Sequence, residues 1–161
     1  MNAMEYAQTG EALMNESRWE QAITNFNRAV ELDSTLGWAY YGLGFCKMKC
    51  RTDEEALLDL AEACKLMPNF AEAFFQRGFV LSALERHDEA ISAFSQTIKI
   101  DPSFSKAYLY RGINLLNSKG NMQKKAEEDF LTASRLGNQD AEQWIVIARS
   151  LGADATTTSK K

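Results

Sequence analysis

The chain has 161 residues, of which 45% are hydrophobic and 25% charged, and its formal net charge is −4. This length is sufficient for one domain with its own core. The acidic balance argues against nucleic acid or an anionic membrane as the main partner, because such partners usually require a basic face. No apolar run is long enough for a transmembrane helix, and the start lacks the layout of a signal peptide. The three cysteines fit no disulfide framework, so we expect a cytoplasmic protein without membrane insertion.

A 34-residue period runs through most of the chain. Four glycines recur at this interval, an aromatic residue stands four positions before each, and an alanine and then a Phe or Leu follow the first three. Several independent series in one register indicate a repeat architecture. The series are Tyr6, Tyr40, Phe74 and Tyr108; Gly10, Gly44, Gly78 and Gly112; Ala22, Ala56 and Ala90; and Phe26, Leu60 and Phe94.

Each repeat is predicted to contain two helices. In residues 19–32 the apolar side chains fall at i, i+4, i+7 and i+8, which is the spacing of one helical face. The stretch that follows Arg51 opens with Thr52 and Glu55, the pattern of a capping box before an apolar stripe. We therefore expect a helix to begin at Thr52.

Prolines mark the ends of two repeats. Pro68 and Pro102 are predicted to end one helix, and Asn69 and Ser103 are candidate N-caps for the next. The repeating glycine costs roughly 1 kcal/mol in helix propensity. We expect it because a residue without a side chain lets two helices cross closely.

The C-terminal part departs from the period. Ala126 and Phe130 arrive two residues late, which predicts a longer or kinked turn around Gly120. Residues 141–152 are predicted to form a helix that covers the open end of the fourth repeat, and residues 153–161 a flexible tail. The predicted inward stripe of this capping helix consists of Trp144, Ile147, Ala148 and Leu151.

These motifs resemble the tetratricopeptide repeat (TPR), a helix–turn–helix unit of 34 residues. The resemblance covers about 140 of the 161 residues and is specific to a fold, not to an activity. It implies an all-α solenoid, a right-handed superhelix of hairpins with a C-terminal capping helix, in a single domain over residues 1–152. The implied repeats are 3–36, 37–70, 71–104 and 105–140.

The resemblance also implies a peptide-binding groove lined by the first helix of each repeat. The implied positions are polar in the first repeat and mainly aromatic or aliphatic in the other three. We expect an apolar or amphipathic segment of a partner protein to bind there. The alternative is that these rings pack internally or against a second copy of the chain. The predicted groove residues are Gln8, Glu11, Tyr41, Phe45, Met48, Phe75, Gln76, Phe79, Lys106, Leu109, Tyr110 and Ile113. Tyr40, next to Tyr41, is expected in the core.

One TPR subtype binds acidic C-terminal tails of chaperones with a clamp of Lys, Asn and Arg. At the matching positions of this chain only Lys106 fits the clamp. A carboxylate bound in such a site requires charge-assisted donors. A carboxylate clamp is therefore not expected here.

Three motifs with sharper chemical interpretations are outweighed by structural ones. The glycines at 42 and 44 lack the third glycine and the preceding strand of a phosphate-binding loop. Cys46 and Cys50 share a helix face, but a zinc site needs four ligands and buried packing is the favoured state. A redox role for Cys50 stays open. His87 is expected in a surface turn, without a nucleophile and an orienting acid beside it.

Arg77 and Arg111 each precede a repeating glycine. They are candidates for binding an anionic group, but we favour ion pairs with acids of the second helices, Asp59 or Asp129. Taken together, the sequence predicts no enzyme and no cofactor, and favours an adaptor or scaffold. The alternatives are a secretion-type chaperone for an aggregation-prone partner and a self-associating structural protein, whose expected contacts are the uncapped first repeat or residues 145 and 146.

Overall fold

The computed structural model describes residues 1–120 and 122–158, with side chains up to residue 151. Within these residues the secondary structure is entirely α-helical, which confirms the predicted all-α class. The chain divides into two compact units, Met1–Val80 and a second that begins at Leu81. The single domain over residues 1–152 stays a prediction. The nine helices of the described residues are α1 (Ala3–Asn15), α2 (Trp19–Leu32), α3 (Gly37–Lys49), α4 (Asp53–Leu66), α5 (Ala71–Ala83), α6 (His87–Ile100), α7 (Ser105–Asn117), α8 (Gln123–Arg135) and α9 (Ala141–Thr158).

The turns within the first three helix pairs share one geometry. Ser17, Arg51 and Glu85, 34 residues apart, all have a positive φ of 57° to 64°. In each turn the next amide donates to a carbonyl five residues earlier, as from Arg18 N to Leu13 O at 2.9 Å. This hydrogen bond satisfies a carbonyl that the helix end leaves without a partner. In the fourth pair α7 ends at Asn117 and α8 begins at Gln123, a wider spacing than in the first three pairs, as the late Ala126 predicts.

The predicted capping box at Thr52 is wrong. The Thr52 hydroxyl donates back across the turn to Lys47 O at 3.1 Å and leaves the α4 amides uncapped. Glu55 instead lies 3.4 Å from Lys47 Nζ. A capping box does form at the start of α1, where Asn2 and Glu5 exchange two hydrogen bonds of 2.9 Å.

The predicted N-cap at Ser103 is also wrong. Its amide and hydroxyl both donate to Asp101 Oδ1, at 2.9 and 2.6 Å, and α7 begins after Phe104. These hydrogen bonds close a local turn. Short polar side chains can form such turns instead of capping a helix. Helix α5 likewise begins at Ala71, two residues after Asn69.

The repeating glycines do bring helices together. A Cβ built on Gly10 would lie 2.9 Å from the Phe26 ring, and one on Gly44 would lie 2.5 Å from Leu60. Phe26 is fully buried at the centre of the first unit's core, among Ala22, Ala29 and residues of α1 and α3. Side chains larger than glycine would therefore displace the core ring.

The second unit uses the same contact and adds the capping helix. A Cβ on Gly112 would lie 2.5 Å from the ring of Phe130, which stacks on Trp144 of α9 at 5.9 Å. The predicted inward stripe of α9 needs correction, because Ile147 and Leu151 are exposed. The side chains that do pack on the core are Ala141, Trp144, Ile145 and Ala148, at the i, i+3, i+4, i+7 spacing.

Helix α9 continues to residue 158, six residues past the predicted end of the capping helix. Of the predicted tail 153–161, the last three residues lie outside the described part of the chain. No helix that the structure describes is both long and apolar enough to cross a membrane.

Candidate functional site

The predicted groove residues of the first unit lie on α1, α3 and α5. Two of them, Tyr41 and Phe75, are buried and not exposed as predicted, whereas Phe79 is the most exposed apolar member. Gln76 donates to Glu72 Oε1 at 2.7 Å. On the remaining positions Gln8 is exposed, and Glu11, Phe45 and Met48 are half-buried.

An aromatic row runs through this unit. The ring of Phe45 lies 6.1 Å from that of Trp19 and 6.2 Å from that of Tyr41. Tyr41 in turn lies 5.2 Å from both Trp38 and Phe70, and Trp38 and Phe70 are 5.6 Å apart. We call these five rings the aromatic row. Its spacing is typical of favourable ring pairs.

The structure corrects the assignment of the two adjacent tyrosines. Tyr41, expected to be exposed in a groove, is only 7% exposed, whereas Tyr40, expected in the core, is half-buried at the core's edge. Burial raises the pKa of the Tyr41 hydroxyl, and the Glu72 carboxylate raises it further. Tyr41 is therefore a buried member of the row, and Trp38, the ring beside it, is the more exposed one.

Sequence reasoning missed Trp19, Trp38 and Phe70 as members of the row. Trp38 lies three positions before Tyr41 on α3, so helical spacing alone would have placed both on one face. Trp19 and Phe70 lie at a helix start and in a turn. No helical period could have identified them.

A cation already lies on one ring of the row. Lys49 Nζ is 5.1 Å from the centroid of Phe45, a cation–π distance. Lys47, two residues earlier, is engaged elsewhere, with Nζ 2.8 Å from Asp59 Oδ2. Asp59, one of the two acids predicted as candidate partners for Arg77 and Arg111, is thus paired with a lysine of the adjoining helix.

In the second unit the predicted groove residues lie on α7. Lys106 is exposed, Leu109 is buried, and Ile113 packs against the core. The Tyr110 ring stacks on Phe94 at 6.0 Å. Leu109 thus belongs to the core, contrary to its predicted place in an exposed strip.

The predicted pair of Arg111 and Asp129 is present. Arg111 Nε and Nη2 donate to the two carboxylate oxygens at 2.8 and 2.7 Å, and Nη1 donates to Ser95 Oγ at 3.1 Å. The hydrogen bonds to Asp129 raise the pKa of the guanidinium. These groups line a cavity of about 370 Å³ together with Lys125 and Glu128. The bidentate geometry ties α7 to α8 and accounts for Arg111 structurally.

His87 begins α6, and its side chain joins a polar network. The buried Asn114 amide donates to Tyr110 O at 2.8 Å and to Ser82 Oγ at 2.9 Å, so its oxygen faces His87 Nδ1 at 2.9 Å. Because an amide oxygen only accepts, Nδ1 is the donor. Ser82 and His87 are both hydrogen-bonded to Asn114, so the network connects their three helices. It does not place His87 as a base beside a nucleophile.

The cysteines pack as small apolar residues. Cys46 and Cys64 are buried, and burial raises their pKa to about 12 and about 11. The Cys50 thiol, which is partly exposed, donates to Glu20 at 3.8 Å, and its pKa is also raised, first by burial. A raised pKa lowers the thiolate fraction on which redox reactivity depends. Among the side chains that the structure describes, no cluster of His, Cys, Asp and Glu suits a metal ion.

Comparisons with known proteins identify the repeats. A TPR repeat model matches residues 10–49, and a tetratricopeptide repeat model matches residues 71–104. No curated protein sequence matches the chain.

Solved structures share the fold. The crystal structure of MamA is 28% identical, with 88% of this chain and 81% of that chain covered and a TM-score of 0.81. YrrB, described as a TPR protein with an unusual peptide-binding site, is 22% identical over 94% and 78% of the two chains, with a TM-score of 0.85. The first TPR domain of Spaghetti (RPAP3), bound to an HSP90 peptide, is 16% identical over 70% and 90%, with a TM-score of 0.68. Helix pairs, repeating glycines and the two matching repeat models agree, and the chain therefore carries tetratricopeptide repeats.

Proposed function

We propose that the chain is a non-catalytic adaptor or scaffold that binds an apolar or amphipathic segment of a partner protein on the first helices of its repeats. The observation that carries this proposal is the aromatic row of the first unit. Five rings follow one another at 5.2 to 6.2 Å, and Trp38 is 38% exposed at one end. Exposed aromatic surface on a rigid helix is typical of binding sites.

Physical chemistry favours a peptide as the occupant of this face. Aromatic rings held by core packing lose little entropy when a partner binds, so an apolar side chain laid across them is bound with little reorganisation. Two of the similar solved structures are consistent with this use of the fold, since YrrB is described as having a peptide-binding site and the Spaghetti TPR domain is bound to a peptide. The three free cysteines suit the reducing cytoplasm, where we place the protein.

The groove residues are tested by truncating two half-exposed rings. Phe45→Ala combined with Phe79→Ala is expected to weaken binding of an apolar peptide pool at least tenfold, because truncating one aromatic hot spot costs about 2 kcal/mol and about 1.4 kcal/mol is a factor of ten. Fluorescence anisotropy with labelled eight-residue pools, randomised among Leu, Ile, Val, Phe and Met at four positions, measures the effect.

The matched control is Leu58→Ala, which removes an apolar side chain that is 74% exposed on α4, away from the row. Circular dichroism verifies that both variants keep their helices. If the double variant binds the pool as tightly as the parent chain, the proposed site is wrong. Trp38→Ala serves as a second variant if the double variant unfolds.

Self-association is a second candidate function, favoured by the outer face of α9. Val146 is 67% exposed, and Ile147 and Leu151 on the same helix are also exposed. If this face binds a second copy, light scattering at micromolar concentration will give twice the 18.1 kDa chain mass, and Val146→Glu will restore the single mass. A parent chain that is monomeric under these conditions contradicts self-association.

A further inference from the structure

We propose that the aromatic row of the first unit binds an arginine side chain of the partner segment, stacked on Trp38 and paired with Glu72. This inference rests on the proposed function, because it names the chemistry of the partner at that site. It is carried by the exposed ring, the neighbouring carboxylate and a cation already bound elsewhere in the row.

Trp38 is the accessible member of a compact trio of rings. Tyr41 and Phe70 lie 5.2 Å from each other, and each lies within 5.6 Å of Trp38. Tyr41 is buried beneath, so the trio presents the indole of Trp38 to the partner. Among the aromatic side chains, the indole binds cations most strongly.

Glu72 lies in the first turn of α5, two residues after Phe70 of the trio, and so brings a negative charge to this end of the row. Its carboxylate contributes to the raised pKa of the Tyr41 hydroxyl, and its Oε1 accepts one hydrogen bond from the neutral amide of Gln76 at 2.7 Å. None of the ion pairs between described residues includes Glu72. The hydrogen-bond partner of this half-buried carboxylate is neutral, so its charge is available to a cation. The attraction between the two charges is stronger here than in water, because the site is partly desolvated.

The row itself shows that its rings accept a cation. Lys49 Nζ lies 5.1 Å from the centroid of Phe45, which stands in the row between Trp19 and Tyr41. The partner's cation would repeat this contact at the open end. Arginine suits the site better than lysine, because a planar guanidinium stacks on a ring and donates two parallel hydrogen bonds to a carboxylate.

An acidic partner segment is disfavoured on the same face. Glu72, two residues after Phe70 in the sequence, is negative, and the cation of the row, Lys49, lies on Phe45 and not on Trp38. The chain as a whole carries −4. Like charges across an interface suppress binding, so an acidic tail meets repulsion where an arginine meets attraction.

The experiment uses three labelled peptide pools that differ at one position. Each pool has the sequence Gly-Ser-Z-X-Z-Z-Ser-Gly, with Z randomised among apolar residues and X fixed as arginine, citrulline or glutamate. Citrulline keeps the shape of arginine and removes its charge. The arginine pool is expected to bind the intact chain about tenfold more tightly than the citrulline pool, and the glutamate pool least tightly.

Variants of the chain distinguish an effect of this site from an effect of the protein's net charge. Glu72→Gln is expected to abolish the preference for arginine over citrulline while the citrulline pool keeps its affinity, and Trp38→Ala is expected to weaken both pools. The matched control is Glu31→Gln, which removes an equal charge from an exposed residue of α2 that pairs with Arg28. It is expected to leave the preference unchanged.

The outcomes distinguish two failures. If all three pools bind equally, or if Glu72→Gln keeps the preference for arginine, the arginine site is wrong while peptide binding stands. If none of the pools binds the intact chain, the proposed function fails and this inference fails with it.

Discussion

Phe26→Ala is expected to lower the free energy of unfolding by about 3 to 5 kcal/mol, the usual cost of removing a fully buried phenylalanine. Its ring is completely buried in the first unit. It fills the space left by two glycines, with Gly10 on α1 and Gly42 on α3 approaching it from two helices. Collapse onto the cavity is therefore restricted, which places the cost in the upper part of that range. Urea denaturation followed by circular dichroism measures it.

The same contact makes a reciprocal prediction. A Cβ on Gly42 would lie 2.4 Å from the far end of the Phe26 ring, so Gly42→Ala is expected to cost about 1 to 3 kcal/mol through overpacking. In a Phe26→Leu background that end of the ring is absent and the cost should fall. Leu60 holds the equivalent position of the second repeat, so leucine is compatible with it. Equal costs of Gly42→Ala in both backgrounds would contradict the proposed packing.

Arg111→Met is expected to lower the free energy of unfolding by about 3 kcal/mol, because it leaves the Asp129 carboxylate buried without its cation. The Asp129 side chain is 9% exposed and accepts two hydrogen bonds from the guanidinium. Adding Asp129→Leu removes the orphaned charge and is expected to restore most of the loss. Denaturant midpoints of the two single variants and the double variant measure the coupling.

The control for this prediction is an ion pair of similar length on the surface. Arg149 Nε lies 2.6 Å from Glu127 Oε1, but the Arg149 side chain is 60% exposed. Arg149→Met is expected to change stability by less than about 1 kcal/mol, as exposed pairs do. A loss for Arg149→Met as large as that for Arg111→Met would show that burial does not decide the effect.

The fold could be predicted from the sequence because a 34-residue register repeats the same contact. A glycine on one helix and a Phe or Leu on the next carry the hairpin packing, and these residue types are visible without a structure. The late Ala126 predicts the longer fourth turn for the same reason. Local periodicity and steric needs of this kind are encoded within one repeat.

Features that depend on competing hydrogen bonds or on neighbouring elements could not be predicted in this way. Thr52 matched a capping box, but its hydroxyl donates to Lys47 O. The positive φ shared by three turns falls on Ser17, Arg51 and Glu85, residues with no chemistry in common, so no series reveals it.

The candidate site was predicted less well than the fold. Helical spacing placed Tyr41 and Phe45 on one face, and that is where they lie. It could not show that Phe70, from a turn, contacts Tyr41 and helps to bury it. The exposed fraction of a side chain depends on such tertiary contacts. Because of them Tyr41 is buried, and Trp38 is the ring available to a partner.

The most direct measurement of the central claim is amide chemical-shift mapping on the isotope-labelled chain during titration with the tightest single peptide from the arginine pool. The account predicts shifts that concentrate on α3 between Trp38 and Met48 and at the start of α5, while the amides around Leu32 and Leu58 stay unchanged. Shifts confined to α2 and α4, with α3 silent, would contradict it.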